Sequence, residues 1–132
     1  PADDAARCIF GYTLGNDVTA RDLQYSDGQW TRAKGFDTFC PFGPWIDTEF
    51  DPSDAVISCR VNGQMRQMAS TRDMVFNVPT LVAFISSVMT LEPGDIIFTG
   101  TPAGVSPLNA GDIVDVEIEN LGKLSNPVGV EA

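Results

Sequence analysis

Counted in steps of two from Ile9, one side of the chain carries Ile9, Gly11, Thr13, Gly15 and Asp17, the other Phe10, Tyr12, Leu14, Asn16 and Val18. The pattern predicts a strand with a bulky apolar face for a core and an opposite face cleared down to glycines and a threonine. Glycine within a strand gives up packing and marks a place where a ligand or another backbone comes close. Asp17 ends the cleared face. Thr19-Ala20-Arg21-Asp22 then has capping-box spacing, which predicts a short helix with Thr19 as its N-cap. On that helix Arg21 and Gln24 are three apart and share a face.

Residues 1–7 read as a short helical turn leading into this strand, and residues 25–45 as irregular chain rich in Gly, Asp, Thr and aromatics. Within that stretch residues 40–46, with Pro41 and Pro44, read as a rigid extended connector entering a strand. Ile57, Cys59 and Val61 alternate with Ser58, Arg60 and Asn62, and Asn62-Gly63 suits a type I′ turn. A structural hairpin over 56–67 is predicted, returning along 64–67. One helix is predicted near 79–89. Leu81, Phe84, Ile85 and Val88 form its core stripe, Pro79 suits its first turn, and Pro93-Gly94 forbids continuation.

Residues 96–99 read as a short buried strand that opens into Gly100-Thr101-Pro102-Ala103-Gly104-Val105. Such a glycine-lined turn presents backbone N–H groups and a hydroxyl suited to a carboxylate. It lacks the GxxxxGK[ST] pattern of a P-loop. A last strand over 111–119 sets Asp115, Glu117 and Glu119 against Val114, Val116 and Ile118. Glu117-x-Glu119 has metal-ligand spacing, but we read it as the solvated face opposite an apolar one. Lys123, in Leu121-Gly122-Lys123, reads as a water-exposed hairpin turn.

At 132 residues the chain suffices for one modest domain with a core. Eighteen acids against eight bases give a net charge of −10, with no Lys/Arg cluster. Nucleic acid and anionic membrane surfaces are therefore excluded as partners. No apolar run reaches the length of a membrane span, and the start does not read as a signal peptide. Cys8, Cys40 and Cys59 are odd in number and lack CxxC spacing, so they read as reduced, mostly buried thiols of an intracellular, cytoplasmic protein. The absence of histidine removes Ser-His-Asp and Cys-His schemes and histidine-ligated zinc. Any metal would be held by oxygens, which favours Mg²⁺ or Mn²⁺ and also suits Ca²⁺.

Two residues carry two readings each. Asp17 is either a loop carboxylate paired with Arg21 or a group freed for chemistry. Lys34, one of only two lysines, lies between Trp30 and Phe36 and ahead of Gly35. It is either a solvated charge or a cation placed for a ligand.

Four segments in this order, GYTLGNDVTARDLQ (11–24), WTRAKGFDTFCPFGPW (30–45), VNGQ (61–64) and LEPGDIIFTGTPAGV (91–105), resemble the C-terminal catalytic domain of the fumarylacetoacetate hydrolase family. Within it the chain is similar to bacterial 2-hydroxyhepta-2,4-diene-1,7-dioate isomerase and acylpyruvate hydrolase-like members. The resemblance implies a mostly β fold, a mixed β roll, and a homodimer. It also implies a divalent metal, Mg²⁺ or Mn²⁺, held by three carboxylates, one of which falls on Asp17. Lys34 matches the family's catalytic lysine, Arg21 and Gln24 match polar pocket residues, and Gly100-Thr101 matches the turn that binds a substrate carboxylate. The implied chemistry is hydrolysis, isomerisation or decarboxylation of small 2-oxo or 1,3-dicarbonyl acids.

The family's other two metal carboxylates, a Glu-x-Glu, and its His-Glu pair lie upstream of the stretch matching the Gly11 strand. Residues 1–132 are thus expected to be the C-terminal part of the catalytic domain, with an incomplete site and an N-terminal portion of the same protein as partner. The competing class is a non-catalytic, β-rich interaction module. Asp17, Arg21, Lys34 and Thr101 together argue against it, since a scaffold has no need of all four.

Overall fold

The alternating valines of the last predicted strand meet Leu14, and the core forms there. In the computed structural model, which describes residues 2–130, the strands are β1 (Tyr12–Gly15), β2 (Phe42–Asp47), β3 (Val56–Val61), β4 (Gln64–Ser70), β5 (Ile113–Ile118) and β6 (Gly122–Pro127). The helices are α1 (Ala2–Ala5), α2 (Arg21–Asp27), α3 (Thr31–Lys34) and α4 (Val78–Ser86), with 3₁₀ turns at Ala6–Cys8 and Thr71–Asp73. β1 and β2 form a two-stranded ribbon, and a second sheet runs β4-β3-β5-β6. The pairings among the described residues are antiparallel. The mostly β expectation holds.

Register decides the faces. Cys59 opposes Val116, which opposes Leu124, and Val61 opposes Val114, so these side chains share one side of the sheet. Leu14 is fully buried against Val116, Leu121 and Leu124, with Tyr12, Phe50, Cys59 and Ile118 packed around them. The other side aligns Ser58 with Glu117 and Lys123, and Arg60 with Asp115. The hairpin turn is as predicted, Asn62 and Gly63 having φ of 51° and 77°. The return strand runs three residues further than expected, to Ser70.

Several expectations are corrected. Residues 25–45 are more ordered than their composition predicted, since α2 extends to Asp27, α3 follows, and the supposed connector is itself β2. The opening turn is present as α1 and the 3₁₀ turn, with Pro1 outside the described residues. The long helix is α4, capped by the Asn77 side chain accepting from the Thr80 N–H at 2.9 Å. Its regular part stops at Ser86, and residues 87–89 continue as turns. Its stripe is not core: Phe84 and Val88 are 69% and 70% exposed, because α1 is the element packed on α4 and is too short to cover that face.

Residues 96–99 form no strand. A strand is a pairing, and among the described residues no backbone hydrogen bond reaches them. Cys8 and Cys40 are exposed and Cys59 is half-buried, all three free, because only Cys59 sits on a core-facing strand. Lys123 lies on β6, where its Nζ is 3.0 Å from Asp115 Oδ2. Of the predicted apolar face of β1, Leu14 is buried while Phe10 is exposed beyond the strand's end.

The two glycines of the predicted strand, Gly11 just ahead of β1 and Gly15 at its end, are cleared for other parts of the chain. A Cβ at Gly11 would lie 2.6 Å from Ile46 Cγ2 and 2.7 Å from the Asp47 carbonyl oxygen. One at Gly15 would lie 2.6 Å from the Phe98 ring. Gly11→Ala must push β2 backbone away, so we expect it to lower unfolding free energy by about 1–3 kcal/mol, the usual scale of overpacking. A urea midpoint unchanged from the parent would show that β2 yields freely.

Candidate functional site

β1 ends at Gly15, and the chain turns there through a loop pinned at both ends. The Asn16 N–H donates to the Pro41 carbonyl at 3.0 Å, and the Ala20 N–H donates to the Ala33 carbonyl at 2.9 Å. The second bond ties the loop to α3, the one-turn helix that ends in Lys34. α3 is tied to α2 by Arg32, whose guanidinium donates two 2.7 Å bonds to the Asp27 carboxylate. Those bonds, with one from Ser26, hold the Asp27 carboxyl down at about 2.

Lys34 is thereby delivered onto the loop. Its Nζ donates to Asp17 Oδ2 at 2.5 Å and to Thr19 Oγ1 at 2.8 Å. The Thr19 hydroxyl in turn donates to the Asp17 carbonyl at 3.0 Å. An ammonium has three N–H donors, so one remains for a further acceptor. Asp17 Oδ1 carries no hydrogen bond among the described residues. Of the two readings of Asp17, the loop carboxylate paired with Arg21 is not observed, because Lys34 takes that carboxylate.

This geometry overturns the capping box. Thr19 does not cap α2. The N-cap is Ala20, with no side-chain bond, because the Thr19 hydroxyl is engaged by Lys34 and the Asp17 carbonyl. Its place two residues past Asp17 was the only available sign of this use. Arg21 and Gln24 do share a face of α2, and they also bond to each other: the guanidinium donates to Gln24 Oε1 at 2.5 Å, and among the described residues the Gln24 amide NH₂ is left to donate outward.

The second part of the site is the turn at Gly100-Thr101. Phe98, covering Gly15, brings this segment alongside the end of β1. Gly100 has φ of 118°, and the N–H groups of Gly100 and Thr101 bond to nothing among the described residues. Exposed, unpaired N–H groups beside a hydroxyl can receive a carboxylate. The turn is held by Gln67, whose Nε2 lies 2.7 Å from both Thr101 Oγ1 and the Pro102 carbonyl oxygen. Gln67 had no place among the sequence-derived candidates.

Residues 1–129 match the family profile described as fumarylacetoacetate (FAA) hydrolase, C-terminal. The chain belongs to the fumarylacetoacetate hydrolase family. An uncharacterised protein of Methanocaldococcus jannaschii is 60% identical over 126 residues, covering 96% of this chain and 53% of that protein. The solved 5-carboxymethyl-2-hydroxymuconate delta-isomerase of Mycobacterium smegmatis superposes with a TM-score of 0.98 at 55% identity, over 100% of this chain and 53% of its own. The maleylpyruvate hydrolase of Sphingobium sp. SYK-6, solved with manganese(II) and pyruvate, has a TM-score of 0.87 at 40% identity, over 97% and 47%. The chain thus spans about half the length of the curated relatives it matches.

A divalent ion takes about six oxygen ligands. Among the described residues no group of three His, Cys, Asp or Glu side chains lies close enough to hold one. Asp17, with Oδ1 free, fits as one ligand of such a site, and these residues alone do not complete it. No helix among them is long and apolar enough to cross a membrane.

Proposed function

We propose that the complete protein is a divalent-metal-dependent enzyme acting on small 2-oxo or 1,3-dicarbonyl acids, by acylpyruvate-type C–C hydrolysis or by 2-hydroxyhepta-2,4-diene-1,7-dioate isomerisation. The observation that carries this is Lys34 set between Asp17 and Thr19 with one ammonium donor to spare, just past Gly15, against which the ring of Phe98 brings the segment that leads into the Gly100-Thr101 turn. The names of the two solved relatives, an isomerase and a hydrolase of such acids, support the same substrate class.

In this reading Asp17 Oδ1 is one ligand of Mg²⁺ or Mn²⁺, joined by carboxylates from outside residues 2–130. When bound, the ion supplies Lewis acidity toward the 2-oxo carboxylate. Lys34 directs its third N–H at the oxygen where charge develops as the C–C or C–H bond breaks. Thr19 and Asp17 hold the ammonium in place, so no reorganisation is needed when that charge appears. Arg21, the Gln24 amide, the Gly100 N–H and the Thr101 hydroxyl fix the far oxygens of the substrate. The enzyme is a cytoplasmic homodimer in this reading, completed by a further portion of the same protein.

The test is a panel assay of the complete protein on acylpyruvates, oxaloacetate and 2-hydroxyhepta-2,4-diene-1,7-dioate, each with Mg²⁺, Mn²⁺ and excess chelator. Chelator-sensitive turnover of the first or third is expected. Release of CO₂ from oxaloacetate as the dominant activity would move the reading to a decarboxylase on the same residues. Turnover indifferent to chelator would sink it.

A further inference from the structure

β4 lies on the sheet edge away from β6, and its register sets Ala69 opposite Ile57 and Gln67 opposite Cys59, on the core-facing side. Gln67 is therefore a polar, half-buried side chain where an apolar one would pack better. Its amide is spent on the turn that follows residue 99. The Pro102 carbonyl oxygen can only accept, so the end of the amide facing it must be the NH₂. The same nitrogen faces Thr101 Oγ1, so both amide hydrogens are committed and the hydroxyl is the acceptor there. The hydroxyl's single proton must then point away from Gln67. The turn is seated on β4 by backbone as well: Gly104, at φ 107°, lies so close to the Arg66 carbonyl that a Cβ would collide with it.

We propose that Gln67 is a positioning residue that fixes the Thr101 hydroxyl as a hydrogen-bond donor toward the carboxylate of a 2-oxo acid. This rests on the reading of Thr101 as a carboxylate-binding residue, and it adds a residue that does not itself touch substrate. Left to itself, a threonine hydroxyl rotates and spends part of its time donating to a protein carbonyl such as that of Pro102. With the Thr101 hydroxyl accepting from Gln67, its own proton is turned away from that side chain, and the Gln67 N–H already on the Pro102 carbonyl makes that oxygen the weaker competitor for it.

The experiment uses the complete protein with Mn²⁺, pyruvate as probe, and calorimetry for Kd alongside steady-state kinetics. Gln67→Met keeps the length and apolar packing of the side chain and removes both donors. It is expected to weaken pyruvate binding by about 10-fold, the scale of one hydrogen bond to a charged group, and to raise KM with kcat little changed. Gln67→Glu should weaken it further, since a carboxylate would draw the Thr101 proton inward and repel both the Pro102 carbonyl and the substrate. In a Thr101→Val background Gln67→Met should then have no additional effect.

Losses that simply add in the double variant, or an unchanged Kd in Gln67→Met while Thr101→Val binds poorly, would overturn the positioning role and leave Thr101 as a binding residue. An unchanged Kd in Thr101→Val would overturn the carboxylate-binding reading itself, and this proposal with it. Thermal melts identify a variant that has merely unfolded. For Gln67→Met in that case, Gln67→Leu provides the same comparison.

Discussion

Asp17→Ala in the complete protein is expected to abolish calorimetric binding of Mg²⁺ or Mn²⁺, with far-ultraviolet circular dichroism unchanged. A hard cation gains affinity almost wholly from anionic oxygens that offset its dehydration, and removing even an outer-shell partner of a metal ligand costs about 10- to 100-fold. Loss of a ligating carboxylate exceeds that range. The fold has no comparable stake in the side chain. Asp17 is exposed, its ion pair is with a partly exposed lysine, and the loop around it is pinned by backbone bonds at Asn16 and Ala20. The variant does strand the Lys34 ammonium beside Thr19 alone, so turnover should fall with metal affinity. Metal affinity equal to the parent's would remove Asp17 from the ligand set and leave it as the anchor of Lys34 only.

The parts of the fold legible in the sequence are those whose partners are close in the chain. The 56–67 hairpin announces itself through Asn62-Gly63, and Val114 and Val116 alternate cleanly because β5 has one apolar and one polar face. Residues 96–99 have the same apolar look and fail, since their pattern says nothing about whether another strand lies alongside. The stripe on α4 fails for a related reason: periodicity identifies an apolar face, and only tertiary structure says what covers it.

The site divides along the same line. Arg21 and Gln24 meet because helical geometry fixes residues three apart, which local spacing reveals. Lys34 reaches Asp17 across seventeen positions through a one-turn helix that composition hid. The family resemblance pointed to each of the two positions separately, and neither it nor spacing indicated that they meet. Thr19 was misplaced because a capping-box pattern is satisfied equally by a hydroxyl that does something else. Gln67 was missed because a polar residue facing the core is informative only after the register is known.

Lys34→Met is expected to lower kcat and kcat/KM together by about 10²–10³, the effect of removing a single oxyanion donor. The side chain keeps its length and loses its charge, so packing beside Ala33 and the Thr19 loop is largely retained. Two of the three ammonium donors are already committed, to Asp17 Oδ2 and Thr19 Oγ1, so the group is held rigidly while one N–H remains unspent. A donor of that kind gains most when charge appears on the acceptor, which happens in the transition state and not in the bound ground state. Loss confined to kcat and kcat/KM, at constant KM, is the kinetic mark of that arrangement. Metal affinity provides the control. Removing a cation 2.5 Å from the Asp17 carboxylate relieves repulsion toward a second cation on the same group, so Mn²⁺ should bind no more weakly than in the parent. A rise in KM alone would make Lys34 a substrate-binding residue, and parental rates would return it to a structural ion pair that happens to sit at the end of β1.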